Sequence, residues 1–265
     1  MIKNILILFM FFVFFTPLLY CARIISLLPS YTEIIFSLGS GGELVGVTNY
    51  CNYPDEAKKI ERVGDYLAPN VEKIYLLKPD IIFIGGWKNS FIKDINKLHT
   101  NTVVIPDETS IDDIYRSIRV IGKYLGKENE ANELIGKMKK ELAEIKEKSY
   151  KKVYVEVDDG GWTSGENSFI SDVISKAGGI NVFNDIKTSY FKADWEEVIK
   201  RNPDVVILLN TSKKSFLKRP MAYKISAVKN KSVYMLKSEE RDMLSRPSPR
   251  IVGLIKKLND IFNKK

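Results

Sequence analysis

The apolar residues of this chain fall into two textures. Short unbroken runs, such as Ile81–Ile84 and Val205–Leu208, alternate with stretches in which apolar positions return every three or four residues. Unbroken runs predict strands buried on both faces, and the wider spacing predicts helices laid over them. The alternation therefore predicts an α/β fold with parallel sheets. In chain order, strands are expected at 24–27, 44–47, 81–84 and 102–105. Between them the pattern predicts a helix capped by Ser30 or Thr32 and closed by Gly39, one starting at Asn70, one over 89–98 and one over 110–125.

The stretch Glu128–Lys148 has no proline and one glycine. Ala131, Leu134, Ile135, Met138, Leu142 and Ile145 fall on one helical face, with acids leading and lysines trailing as the helix dipole favours. A helix of this length would run about 30 Å. Strand-and-helix pattern lies on both sides of it, so it reads as a strut joining two lobes. The lobes are expected over residues 23–126 and 151–265, with 127–150 as the connection.

Beyond the strut the pattern restarts. Strands are expected at 153–157, 180–183 and 232–236, and helices at 167–177 and 249–262. The segment Asp194–Leu208 repeats Asn70–Ile84: a capping residue, a glutamate two positions later, then Pro-Asp and an apolar strand. Glu72 and Glu196 stand at the same distance before Pro79 and Pro203. This is one supersecondary unit used twice, once per lobe.

Composition adds the setting. The chain has 265 residues, 45% of them hydrophobic, and a formal net charge of +8. Residues 5–20 are almost wholly apolar, follow a lone Lys3 and precede Cys21-Ala22, the pattern of a secretory signal over residues 1–22. The run is short for a membrane span and contains Pro17. Lipidation at Cys21 is the alternative to plain cleavage, with the bulky Tyr20 against it. Cleavage would remove only Lys3 among charged residues and leave +7. Lysines and acids are intermixed, which argues for a solvated surface rather than a nucleic-acid patch.

Candidate catalytic chemistry is sparse. His99 is the single histidine, and Cys51 would be the single cysteine after cleavage, so a transition-metal cage is not expected. No phosphate-binding glycine loop follows a strand. The Trp162–Gly165 string W-T-S-G lacks the glycine that a nucleophile elbow needs before its serine. Aromatics instead gather after strands: Tyr50, Tyr66, Trp87, Trp162 and the Tyr190-Phe191 pair. Several sit in Gly- or Ser-rich loops, where a core role is less natural and a stacking surface more so. Arg241, Asp242, Arg246 and Arg250 cluster before the last helix and suit either a solvated surface or recognition of a polar ligand group.

The motifs S-L-L-P-S-Y-T-E, V-G-V-T-N-Y-C-N-Y-P, V-G-D-Y-L-A-P-N-V-E-K-I, L-K-P-D, T-S-G and S-P-R occur in this order over residues 23–262. Their order resembles the substrate-binding proteins of ABC importers for vitamin B12 and ferric siderophores, with the vitamin B12 binders nearest in pattern. The resemblance implies two Rossmann-like lobes joined by one long helix, the helical-backbone or class III architecture, with limited hinge motion. It implies a monomer outside the cytoplasm, with no enzymatic activity and no cofactor. Its partners would be an ABC permease with its ATPase subunits, and cobalamin would sit in the interlobe cleft. A ferric siderophore or haem is the alternative ligand. By motif position, Tyr50, Tyr66, Trp162 and Tyr190 fall on aromatic cleft positions, and Asp242 and Arg246 on polar ones. Trp87 is offset from the aromatic of its loop, and Tyr66 and Tyr190 replace tryptophans of the B12 binders, which keeps the siderophore reading open. Glu72 and Glu196 match two acidic knobs that dock on the permease.

Overall fold

The computed structural model describes residues 22–86, 91–145 and 148–264. The apolar run 5–20, Cys21 and Trp87 lie outside the described residues. The first half runs β1 (Ile24–Ser26), α1 (Pro29–Ser37), β2 (Leu44–Val47), α2 (Val71–Leu76), β3 (Ile81–Gly85), α3 (Ile92–Asn96), β4 (Asn101–Ile105), α4 (Ile111–Tyr124) and α5 (Glu128–Ala143). The second continues with β5 (Lys152–Glu156), β6 (Trp162–Ser164), α6 (Phe169–Lys176), β7 (Ile180–Asn181), β8 (Tyr190–Lys192), α7 (Trp195–Arg201), β9 (Val205–Leu208), α8 (Lys213–Leu217), α9 (Ser226–Lys229), β10 (Val233–Met235), α10 (Ser238–Ser245) and α11 (Ile251–Asn263).

Two sheets result. The first is parallel throughout, in the order β2-β1-β3-β4. The second has the order β10-β9-β5-β6-β8, with β7 paired to β5. Its β10, β9, β5 and β7 are parallel, whereas β6 pairs antiparallel with both β5 and β8, an edge that the apolar pattern did not predict. The burial explains the pattern. Central strands β1, β3 and β9 are buried at every residue, while the edge strands β4, β8 and β10 are exposed in part. A strand covered by helices on both faces needs an unbroken apolar run; the three-residue edge hairpin does not.

The duplicated unit has a physical basis. Lys78 and Asn202 adopt the left-handed region, with φ of 45° and 49°, and turn the chain out of α2 and α7. After the proline, Asp80 accepts a hydrogen bond from the Arg23 amide at 2.7 Å and donates its own amide to the Arg23 carbonyl at 2.8 Å. Asp204 does the same with Lys152, at 2.9 and 2.8 Å. Each Pro-Asp clamps the entry to the first strand of its sheet. The caps differ: the Asn70 side chain accepts from the Lys73 amide, whereas Asp194, at the equivalent position, makes no side-chain cap bond.

Local boundaries shift for identifiable reasons. Pro29, free of an amide to satisfy, opens α1, so Ser30 and Thr32 lie inside the helix and do not cap it. Thr32 bonds Ser26 and the Leu28 carbonyl instead. The strut ends at Ala143 rather than Lys148, giving 16 residues or about 24 Å. Its Ala131, Ile135 and Met138 are buried as the spacing predicts. It packs on α4 and α11, and Lys256 of α11 reaches Glu141 and Glu144 at 3.2 Å each. One apolar cluster runs from the first sheet through these helices into the second, taking in Ile34, Ile118, Ile135, Val155, Ile174 and Ile255.

The two ends of the chain meet at Glu33, which is 2% exposed. Its carboxylate accepts from Ser248 Oγ at 2.5 Å and from Arg250 Nε and Nη2 at 2.8 and 2.6 Å. The Arg250 guanidinium also lies 3.7 Å over the Tyr53 ring. Replacing Arg250 by Ala should leave this buried carboxylate with only Ser248 and the more distant Arg246, and cost up to roughly 3–5 kcal/mol of stability. Denaturant unfolding of Arg250→Ala beside the wild type measures that loss, and Arg250→Lys should recover only part of it because the paired donors are gone.

Candidate functional site

The carboxyl ends of the parallel strands of both sheets converge on one cavity of about 600 Å³. Leu28, Pro29 and Ser30 follow β1, Tyr50 follows β2, and Asp107, Glu108 and Thr109 follow β4; Val157 follows β5 and Leu209 follows β9. That is where parallel α/β sheets hold ligands, because the loops there are free of the packing that fixes the strands. The remaining wall comes from α6, from Ser189-Tyr190 at the start of β8, and from the Asp242–Pro247 segment.

Tyr50 and Tyr66 are brought together by a knit of backbone and side-chain bonds. The Asn49 amide donates to the Gly64 carbonyl at 3.0 Å, and Asn49 Nδ2 donates to Asp65 Oδ1 at 2.9 Å. Gly64, at φ 92°, is where a Cβ would press on the Ala68 carbonyl at 2.9 Å, so glycine is required for the turn that presents Tyr66. Arg62 Nη1 fastens the other loop by donating to the carbonyls of Thr48 and Cys51, both at 2.9 Å. The two rings meet edge to face at 6.4 Å. Cys51 itself is a free thiol, 1% exposed, accepting from Thr32 Oγ1 at 3.2 Å.

Tyr190 enters the cavity from β8, opposite Ser164 of β6. The T-S-G motif is structural here: a Cβ on Gly165 would fall 2.3 Å from the Thr188 carbonyl, so only glycine admits the chain that leads to Tyr190. Trp162, three residues before Gly165, is 46% exposed on the edge hairpin and is not part of the cavity wall. Asp242 and Arg246 do line the cavity. They are 3.1 Å apart on α10 and its end, and both reach across to Asn52: Nδ2 donates to Asp242 at 3.1 Å, and Arg246 Nη1 donates to Oδ1 at 2.6 Å. His99 is exposed beyond the end of α3, far from any such role by position, and no group of His, Cys, Asp and Glu suited to a metal occurs among the described residues.

Thus five of the proposed cleft residues, Tyr50, Tyr66, Tyr190, Asp242 and Arg246, share one cavity. Sequence reasoning missed Asn52 and the Asp107-Glu108-Thr109 loop. The latter carried a legible signal, since polar residues directly after a predicted parallel strand stand at the ligand end of the sheet. Beside this cavity lies a polar groove of about 670 Å³ rich in serine and asparagine, which shares Thr109, Asn167, Ser168 and Ser189 with it.

Glu108 is the electrostatic outlier of the wall. Burial pushes its carboxyl up to about 7, against the lowering effect of the Ser117 hydroxyl, which donates to it at 2.5 Å, and of the Arg116 charge. Between the ordinary carboxyl range and about 7 the folded chain therefore binds a proton at Glu108 that the unfolded chain does not. This contribution to stability is present at low pH and lost as pH rises through 7. In the ligand-free protein, Glu108→Gln should raise the melting temperature at pH 8 and flatten its decline between pH 5 and 8, values set by the usual and the raised carboxyl range. Thermal melts across that range check it.

Residues 24–240 match the family described as periplasmic binding protein. The chain is 33% identical over 250 residues to YvrC of Bacillus subtilis, named an ABC transporter substrate-binding lipoprotein, covering 89% of this chain and 78% of that one. It is 28% identical over 260 residues to the vitamin B12-binding protein of Vibrio cholerae, with 93% of each covered. A crystal structure from Staphylococcus epidermidis, described as a possible iron-binding periplasmic solute-binding protein, superposes with a TM-score of 0.81 at 32% identity, covering 92% of this chain and all of that one.

Proposed function

The chain belongs to the periplasmic binding protein family of ABC transporters, and from that premise we propose that it binds cobalamin in the cavity between its sheets and delivers it to a membrane permease outside the cytoplasm. The observation that carries this reading is the cavity itself, with three tyrosines on its wall and a polar groove adjoining it. A corrinoid has a broad, flat, partly apolar macrocycle ringed by amides. Such a ligand is served by aromatic faces together with many hydrogen-bonding groups. Likeness to the Vibrio cholerae protein over almost the full chain supports the same choice. In this reading the lobes 23–126 and 151–265 close around the ligand by a small motion about the 127–150 connection. A ferric chelate is the second reading, favoured by the 32% identity to the Staphylococcus epidermidis protein and by tyrosine at positions 66 and 190.

Titration with cyanocobalamin, followed by calorimetry, tests the proposal: one molecule should bind per chain. Tyr190→Ala should weaken that binding by roughly 1–3 kcal/mol with little change in melting temperature. A ferric siderophore that binds while cyanocobalamin gives no heat would transfer the assignment to the second reading.

The permease role has its own support. Glu72 and Glu196 are both exposed, both in the first turn of their helices, and neither has an ion-pair or hydrogen-bond partner among the described residues. Their neighbours differ: Lys73 pairs with Glu61 at 2.7 Å and Glu197 with Arg201 at 3.0 Å. The helix dipole alone would account for acids there, so the test must separate docking from stability. In a Glu72→Gln, Glu196→Gln double variant, ligand affinity and melting temperature should be retained while ABC-dependent uptake falls. Uptake at the wild-type rate would remove the docking role.

A further inference from the structure

The charge balance of the cavity wall restricts the ligand further than its shape does. Among the described residues, four charged side chains line it: Asp107, Glu108, Asp242 and Arg246. The one cation among these, Arg246, is already committed, lying 3.1 Å from Asp242 and 3.5 Å from the buried Glu33, and donating to Asn52 at 2.6 Å. Asp107 and Glu108, on the loop between β4 and α4, have no ion-pair partner among the described residues. Arg116, the cation on the adjoining helix, is held by Asp113 at 2.6 Å and by the Asp107 backbone carbonyl at 3.3 Å.

The polar set around Glu108 is also incomplete. Ser117 donates to one carboxylate oxygen at 2.5 Å, and the backbone amide of Glu108 itself also favours the charged form, but no cation pairs with it among the described residues. The hydroxyl of Tyr31, a fully buried residue of α1, has its pKa pushed up by burial and by the neighbouring Glu108. It makes no hydrogen bond of good geometry among the described residues, and neither does the buried Nε of Arg116. A carboxylate at a cavity wall tolerates this while water reaches it. When a ligand displaces that water, the ligand must supply donors or positive charge, or the lost hydration is not recovered. An anionic group brought to the same place meets the Asp107 charge and, as pH rises through about 7, the Glu108 charge as well.

We infer that Asp107 and Glu108 are specificity residues: the cleft takes a ligand that is neutral or cationic and presents hydrogen-bond donors to the β4–α4 loop, and it rejects polyanionic chelates. The inference rests on the reading of this cavity as the ligand site. It deepens that reading, because amide-rich corrinoids and cationic hydroxamate chelates satisfy the rule, whereas catecholate complexes and the propionate-bearing haem do not.

The test is calorimetric titration of the full mature chain with three probes of different charge: cyanocobalamin, a cationic ferric trihydroxamate and a trianionic ferric tricatecholate. The wild type should bind cyanocobalamin or the trihydroxamate at least about a hundredfold more tightly than the tricatecholate. An Asp107→Asn, Glu108→Gln double variant should lose about tenfold in affinity for the favoured probe and narrow its preference over the tricatecholate. Melting of the double variant at the titration pH verifies its fold, and a purely structural role would leave the ratio between probes unmoved. Tightest binding of the tricatecholate by the wild type, or an unchanged ratio in the double variant, overturns the inference. Binding of the trihydroxamate without cyanocobalamin upholds the charge rule and overturns the corrinoid assignment. Binding of cyanocobalamin with an unchanged ratio does the reverse.

Discussion

A buried carboxylate sets the terms for this fold. Glu33 is withdrawn from water on α1, and its matching donors, Ser248 and Arg250, come from the far end of the chain. An ionised carboxylate in such a place is tolerable only when nearly all its acceptor sites are filled. The chain must therefore bring the segment before α11 onto the first sheet's helices. That same segment carries Arg246, and α10 carries Asp242, to the rim of the cavity. The motifs at the two ends of the sequence are thus two halves of one contact.

The second sheet has a counterpart in Glu156, fully buried at the end of β5. It accepts from Arg219 at 2.5 and 2.8 Å and from the Tyr154 hydroxyl at 3.1 Å. The next residue, Val157, lines the cavity. Each sheet therefore has a satisfied internal charge just behind its ligand end. Against these, Glu108 stands out as a carboxyl whose burial no paired cation offsets among the described residues. Such local conflicts collect where a ligand completes the arrangement.

Motion between the halves is constrained by the same architecture. The apolar cluster that passes through α4, α5 and α11 joins both sheets, so wide separation would expose it to water. The bonds across the cavity rim are of another kind. Asn52 to Asp242 and Arg246 are solvent-accessible hydrogen bonds, each worth only about 1 kcal/mol net, more where a charge takes part. They can be exchanged for ligand contacts without disturbing the core. A rigid seam with an exchangeable rim is what limited closure around a ligand requires.

Local physics wrote much of this into the sequence. Strands buried on both faces left unbroken apolar runs, helices left their three-to-four spacing, and β2 and α4 fall where those patterns put them. The twofold Pro-Asp unit was visible because each copy must clamp the entry of one strand. Tyr50, Tyr66, Tyr190, Asp242 and Arg246 were singled out by loop composition and motif position. Other features depended on contacts between distant residues, which leave no period in the chain. The antiparallel β6–β8 edge consists of three-residue strands, too short for alternation to register, and its pairing holds Trp162 on the exposed hairpin although Gly-Gly-Trp there looks like the Gly-Gly-Trp at Trp87. The start of α1 was decided by Pro29. The partners of Glu33, the clasp of Asn52 and the buried carboxyl of Glu108 exist only once strands from both sheets end at the same cavity. Periodicity reports which face of an element is buried; only packing decides which residues from other elements face it.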